Sequence, residues 1–516
     1  MNVLNPRRTV GGSFCLYFSL TDFKNVNSTI TNCIFFCDII KRMLRISLLR
    51  TFRNEKYKRS GLTIFRRGIM EKEKSAGFSS RIGFILAAAG SAVGLGNLWR
   101  FPYLAAKYGG GIFLLVYIIL AITFGFTLMI TEIAIGRKTG KSCIEAFGVF
   151  NKKCSFIGYI AALVPIIIFP YYCVIGGWVT KFVTLFATGN GRQAAADSYF
   201  GGFISKAGEP LIFLAIFIAI TAVIIMMGVQ NGIEKVSKVL MPVLAIMTVG
   251  IAVYTLTLPG ALDGFVYYVK PNFELFSIKT VVAAMGQLFY SMSLAMGIMI
   301  TYGSYMNKKD DLERSVRHIE IFDTAIAFMA GVMIIPAVFA FSNGDTSKLQ
   351  QGPTLMFVTL PKVFDSMAGG QIVGAVFFIL VFFAALTSAV SLMETILSVM
   401  QDKLHIKRIP GCLIILGLAF LIAIPSSLGF GIWSGVILLG RDFLDFFDFI
   451  SNNILMPIVG FLTCIFVGYI VKPKAIEDEV ESSGKFKSAA MYRVMVKYVA
   501  PAFLLIILIS SIVGYV

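Results

Sequence analysis

Apolar residues gather in eleven runs of roughly 20 or more, separated by short polar stretches. They lie at about 81–107, 111–136, 155–186, 209–228, 234–257, 279–306, 314–342, 370–400, 410–428, 443–471 and 489–514. Each is long enough to cross a hydrocarbon core about 30 Å thick. Lipid offers the backbone no hydrogen-bond partners, so such runs are helices. The pattern predicts an all-α, polytopic membrane helix bundle. The longest connections, about 187–208, 258–278, 343–369 and 472–488, are too short to be independent domains.

Two of the eleven runs are interrupted. The first reads Gly90-Ser-Ala-Val-Gly94-Leu-Gly96-Asn97-Leu-Trp-Arg100-Phe-Pro102. Each of its glycines weakens a helix by about 1 kcal/mol relative to alanine, and Asn97 and Arg100 follow at membrane depth. The sixth reads Tyr290-Ser291-Met-Ser293-Leu-Ala-Met-Gly297, with two hydroxyls beside a glycine. Matching interruptions five spans apart are the pattern of two inverted repeats with a binding site at their interface. Unwound backbone at that depth needs polar partners, and a bound ion or polar solute supplies them. Close helix packing alone would account for the glycines, but not for Asn97, Arg100 and the second break.

Composition agrees. The chain of 516 residues is 57% hydrophobic and 14% charged, with mean hydropathy +0.81. The net charge of +18 raises the question of nucleic acid, but no zinc-finger spacing or RNA-binding motif accompanies it. With residues before 81 placed in the cytoplasm, 23 Lys/Arg from Met70 onward fall at cytoplasmic ends and 9 outside. This positive-inside bias predicts a cytoplasmic N-terminus and an external C-terminus in the cell membrane. Residues 1–69 hold 13 Lys/Arg and 3 Asp/Glu and no run long enough to span. They read as a basic leader; Met70, opening Met-Glu-Lys-Glu-Lys, is the expected start, and the alternative is a basic arm on the membrane surface. The eight cysteines are scattered singly or lie in the leader, and read as plain thiols.

The motif Gly90 to Pro102 resembles the first-span signature of the neurotransmitter:sodium symporter family, bacterial branch. Further matches are Gly109-Gly110-Gly111, Glu132 with Gly136-Arg137, Gly286-Gln287, Ser291 to Gly297, Thr301-Tyr302 and Ala384 to Ser388. The resemblance runs from about Arg81 to the end of the chain. It implies repeat one over about 81–257, repeat two over about 279–471, and an eleventh helix over about 489–514. It also implies sodium-coupled import of an amino acid, with Na+ as the co-transported ion.

The resemblance carries residues with it. One sodium site would use the carbonyls of Gly90, Val93 and Ala384 with the hydroxyls of Thr387 and Ser388. The other would use the Ala92 carbonyl, Asn97, Ser291 and Asp323, plus the substrate carboxylate. Oxygen ligands suit a hard cation. The substrate pocket would comprise Ala92, Gly96, Ile168, Tyr172, Tyr290, Ser293, Met296, Ser388 and Leu392. Tyr172 would bond the carboxylate and close against Tyr290. With no charge at the side-chain end, neutral hydrophobic or aromatic amino acids are expected. Arg100 with Asp448 would form an outer gate. Asp402 would belong to an inner gate whose usual Arg partner is absent, leaving Lys72, Lys74 or Arg81 to replace it.

Asp323 departs from the family, which usually has Asn there. Many bacterial members carry a carboxylate one turn later, where this chain has Ala327. An intramembrane carboxylate is costly and reads as functional. The expectation is chloride-independent transport, with Asp323 supplying the negative charge. Rival readings are a proton-coupled transporter of the same fold, a membrane enzyme and a membrane sensor. Against an enzyme, both histidines (318 and 405) lie at cytoplasmic ends beside basic residues, and HExxH, GxSxG and P-loop motifs are absent.

Overall fold

The computed structural model describes residues 77–342 and 352–514. The leader, the expected start at Met70, Lys72 and Lys74 lie outside them. Among the described residues the chain is helical, with two isolated β-bridges and no strand. Nine continuous helices among the described residues are long and apolar enough to cross a membrane: Gly111–Thr139, Lys152–Ala187, Glu209–Met226, Val229–Leu256, Leu312–Ser342, Gly370–Leu404, Arg408–Leu428, Phe443–Ile470 and Ala489–Val513. These are spans 2–5 and 7–11. Many of their large apolar side chains face outward, among them Ile119, Ile246, Leu413 and Ile506. An apolar exterior of this kind belongs in lipid.

Spans 1 and 6 are the broken ones. Span 1 consists of Arg81–Ala92 and Gly96–Lys107, bent by 52° at the break. Its first half starts on Ser80, whose side chain accepts a hydrogen bond from the Gly83 amide, and stops where Val93 turns extended (φ −73°, ψ 106°). Span 6 starts on Ser277, which caps Thr280 in the same way, and runs as Ile278–Ser291 and Ile298–Ser304. Between its halves Ser293 (φ 53°), Ala295 (φ 59°) and Gly297 (φ 73°) are left-handed. For the two non-glycine residues that conformation costs about 1–3 kcal/mol each. Part of the compensation comes from span 2: the Glu132 carboxylate accepts the Ala295 amide at 2.6 Å.

The connections are more ordered than their polarity predicts. Short helices occupy Cys143–Phe150, Asp197–Ile204, Ala261–Val269, Leu360–Ser366 and Lys474–Glu481. Each is below spanning length, which is why the hydropathy pattern passes over them. The last one is pinned by Arg137 at the end of span 2. Its guanidinium is buried, pairs with Glu479 at 2.8 Å, and bonds the Asp310 carbonyl (2.8 Å) and Ser483 (3.0 Å). Spans 3 and 8 pack along one another beside the broken helices, and span 8 also packs on the first half of span 1.

Candidate functional site

The two breaks bring their side chains together. Asn97, just beyond the break in span 1, donates its amide to Asp323 Oδ1 at 2.8 Å and accepts the Gly94 amide on its own oxygen at 3.1 Å. Ser291, at the end of the first half of span 6, donates to Asp323 at 3.1 Å. All three are buried, Asn97 and Asp323 completely. Gln287, one turn before Ser291, donates to the Gly96 carbonyl at 2.9 Å. From span 2 the buried Tyr117 hydroxyl faces Asp323 and Ser291. The motif around Gln287 matched the family without being placed in the site. Tyr117 sits in a run too apolar to stand out.

The second oxygen cluster joins spans 1 and 8. The Ser388 hydroxyl reaches the carbonyls of Ser91 (3.2 Å) and Val93 (3.4 Å) across the interface. Thr387 turns back onto its own helix, donating to the Phe383 and Ala384 carbonyls, each at 3.1 Å. Gly90 lies alongside: a Cβ there would come within 3.3 Å of Thr387 Cβ. Ser388 and the Val93 carbonyl are thus neighbours, as are Thr387 and the Ala384 carbonyl, with the Thr387 hydroxyl held by its own helix.

Between the clusters lies a small cavity. All nine expected pocket positions line it: Ala92, Gly96, Ile168, Tyr172, Tyr290, Ser293, Met296, Ser388 and Leu392. Ser91, Gly94, Leu95, Ser291 and Ile298 line it too. No charged side chain lines the cavity. The Tyr172 hydroxyl is buried near Ser388 but has no hydrogen-bond partner of good geometry among the described residues. The glycines are spatial necessities here. A Cβ on Gly94 would stand 2.7 Å from Ser388 Oγ, and one on Gly96 2.8 Å from the Tyr290 ring.

The gate residues sit differently from expectation. Arg100 lies over the Tyr290 ring, its guanidinium carbon 5.4 Å from the centroid. Asp448 accepts Tyr171 Oη (3.1 Å) and the Asn452 amide (2.6 Å). No ion pair within 4.0 Å joins Arg100 to Asp448 among the described residues. Both bonds fall on Oδ1 of Asp448, and Arg100 acts on this carboxylate electrostatically without a direct ion pair. Asp402 accepts the Ser142 amide at 2.8 Å, at the start of the helix Cys143–Phe150. Arg81, a candidate partner for it, instead donates to Ser315 at 3.0 Å.

Comparison with known proteins converges on this architecture. The model of the sodium:neurotransmitter symporter family matches residues 75–190 and 199–516. An uncharacterized sodium-dependent transporter of Haemophilus influenzae is 33% identical over 450 residues, covering 84% of this chain and 97% of its own. One from Bacillus subtilis is 32% identical over 455 residues, covering 86% and 99%. Among solved structures, MhsT in complex with L-phenylalanine is similar, with a TM-score of 0.76 and 36% identity over 84% of this chain and 99% of that one. With the broken first and sixth spans and the match across nearly all the described residues, the chain belongs to the sodium:neurotransmitter symporter family, whose members are transporters.

Proposed function

We propose that this sodium-dependent transporter imports a neutral amino acid, hydrophobic or aromatic, independently of chloride. The observation that carries the reading is the unpartnered Tyr172 hydroxyl, buried in a cavity without charged walls. A carboxylate accepts such a hydroxyl in a strong charge-assisted bond, and the apolar remainder suits an uncharged side chain. The crystallised relative MhsT holds L-phenylalanine, which agrees with an aromatic substrate. Met296, being flexible, lets the pocket accommodate more than one size.

In this reading one sodium ion takes the Ala92 carbonyl, Asn97, Ser291, Asp323 and the substrate carboxylate. Ion and substrate stabilise each other by direct contact, which couples their binding. The second ion takes the Gly90, Val93 and Ala384 carbonyls with Ser388 and, once its hydroxyl turns, Thr387. Asp323 supplies the negative charge that would otherwise come from chloride. The chain sits with residue 81 at the cytoplasmic face and its C-terminus outside, and Arg100 and Asp448 close the outer path when they meet. Each sodium entering through about 100 mV yields roughly 2.3 kcal/mol before its concentration gradient is counted, enough to concentrate a neutral solute tens-fold.

The test is uptake of radiolabelled neutral amino acids into proteoliposomes under an inward sodium gradient, compared with potassium and with a pH gradient. Sodium-driven uptake of hydrophobic or aromatic species supports the proposal. Uptake driven only by protons moves the coupling to the buried Asp323, which is the specific feature favouring that second reading.

A further inference from the structure

The first half of span 1 is a short rod, Arg81–Ala92, bent 52° from the rest of its span at the candidate site. Its far end is tied down at several points. The Glu234 carboxylate, at the start of span 5, accepts the Ser79 amide (2.7 Å), the Ser79 hydroxyl (2.6 Å) and the Ser80 hydroxyl (2.9 Å). Lys238 also pairs with it at 2.7 Å. Just before these serines, Phe78 donates its amide to the Tyr305 carbonyl at 3.0 Å. The Phe78 ring packs edge-on against Tyr302 and Phe84, each at 5.6 Å. Gln230 donates to the Gly77 carbonyl at 2.8 Å. Residues 77–80 are thus fastened both to span 5 and to the end of span 6.

The fit is built into the helix face. Gly83 lies against Glu234: a Cβ there would reach within 2.5 Å of Glu234 Cγ. The carboxylate is 1% exposed, yet three of its four donors come from outside its own helix. A buried carboxylate satisfied so largely by one neighbouring segment holds that segment firmly, because leaving the segment removes three of its four donors and leaves Lys238 alone to satisfy it.

We infer that Glu234 is a positioning residue of the transport cycle: with Ser79 and Ser80 it latches the hinged first half of span 1, and releasing that latch opens the path from the site to the cytoplasm. The inference rests on the transporter reading above. It adds a serine–glutamate contact to inner closure, beside Asp402, whose usual arginine partner this sequence lacks. A hydrogen bond to a charged acceptor shifts an equilibrium on the order of tenfold or more. Losing the two serine hydroxyls therefore raises the open population by at least about tenfold.

The test uses the full chain in lipid nanodiscs, with Cys15, Cys33 and Cys37 replaced by serine. Spin labels go on Ile82→Cys, on the exposed side of the rod, and on the exposed Lys309→Cys; the described native cysteines are buried. Distances are measured by pulsed electron paramagnetic resonance in sodium, without and with L-phenylalanine. The expected result is a second, longer distance in Ser79→Ala/Ser80→Ala and in Glu234→Ala, while Ser79→Thr/Ser80→Thr retains the parent distribution. Parent-like distances in the double alanine variant overturn the latch; that variant leaves Glu234 in place, so the decision stands even if Glu234→Ala misfolds. A shift in sodium alone, with no amino acid bound by any variant, keeps the latch and sinks the substrate reading. A latch variant that binds phenylalanine as the parent does but shows no shift sinks only the latch.

Discussion

The amide nitrogen of Asn97 lies 2.8 Å from Oδ1 of Asp323. This contact links the break in span 1 to span 7, and it places the one carboxylate of the cluster against an amide whose oxygen is aimed at the Gly94 amide. Asp323 is completely buried, and its charge has no basic partner in the cluster.

That arrangement predicts how the transporter handles anions. Replacing chloride with gluconate at constant sodium should leave uptake by the parent within about twofold. Asp323→Asn should lower uptake at least tenfold, since the change removes a charge-assisted interaction worth about 1.5–3 kcal/mol. Chloride should restore part of it. Loss of parent uptake in gluconate would show that Asp323 does not provide the balancing charge.

Tyr172→Phe isolates one hydroxyl. Because it lacks a well-formed partner in the protein, removing it should leave the melting temperature within about 2 °C. Amino-acid affinity should fall about tenfold to a hundredfold, the range for a bond to a carboxylate. Scintillation proximity binding beside a thermal melt reads both quantities. Equal affinities would remove Tyr172 from substrate recognition.

Gly94→Ala and Gly96→Ala test the close approaches at the cavity. The added methyls would meet Ser388 Oγ at 2.7 Å and Tyr290 at 2.8 Å. Overpacking costs typically 1–3 kcal/mol. Here the displaced groups line the cavity, so substrate binding should drop at least tenfold while the protein still elutes as a single species on size exclusion. Normal binding by both variants would place the substrate elsewhere.

Arg137→Ala addresses stability instead. Removing a buried guanidinium leaves Glu479 in a largely apolar setting, although Lys308 also reaches it at 2.9 Å. Breaking a buried pair typically costs about 3–5 kcal/mol, and the second cation should hold the loss toward the lower figure. A clear fall in melting temperature in detergent is expected, with substrate affinity per folded molecule unchanged. A melt matching the parent would mean that the helix Lys474–Glu481 is held by other contacts.

Much of this architecture was readable from the chain because lipid makes it so. Runs of apolar residues had to be helices, and the glycines at 90, 94 and 96 beside Asn97 marked a place where one had to stop. The residues expected around the breaks do lie together, since a break defines its own neighbourhood. Pairings between distant elements were less legible. Arg100 had Asp448 as its expected partner, yet it lies over the Tyr290 ring without a direct ion pair to Asp448, and sequence order carries no record of which of two acceptable neighbours a guanidinium meets. Asp402 likewise accepts the Ser142 amide, a backbone donor that side-chain matching does not reveal. The five connecting helices are too short and too polar for hydropathy to register.

Glu132 has a reach that a list of cavity residues misses. It sits on span 2, away from the cavity lining, yet it holds the amide of Ala295 in the left-handed stretch that turns Ser293 and Met296 toward the cavity. The pocket's shape is thus partly written in a helix that contributes no residue to the cavity lining. In a library screened for ligand recognition, position 132 would score with the lining residues, and a pocket redesigned without it would be fitted to a contour that span 2 no longer maintains.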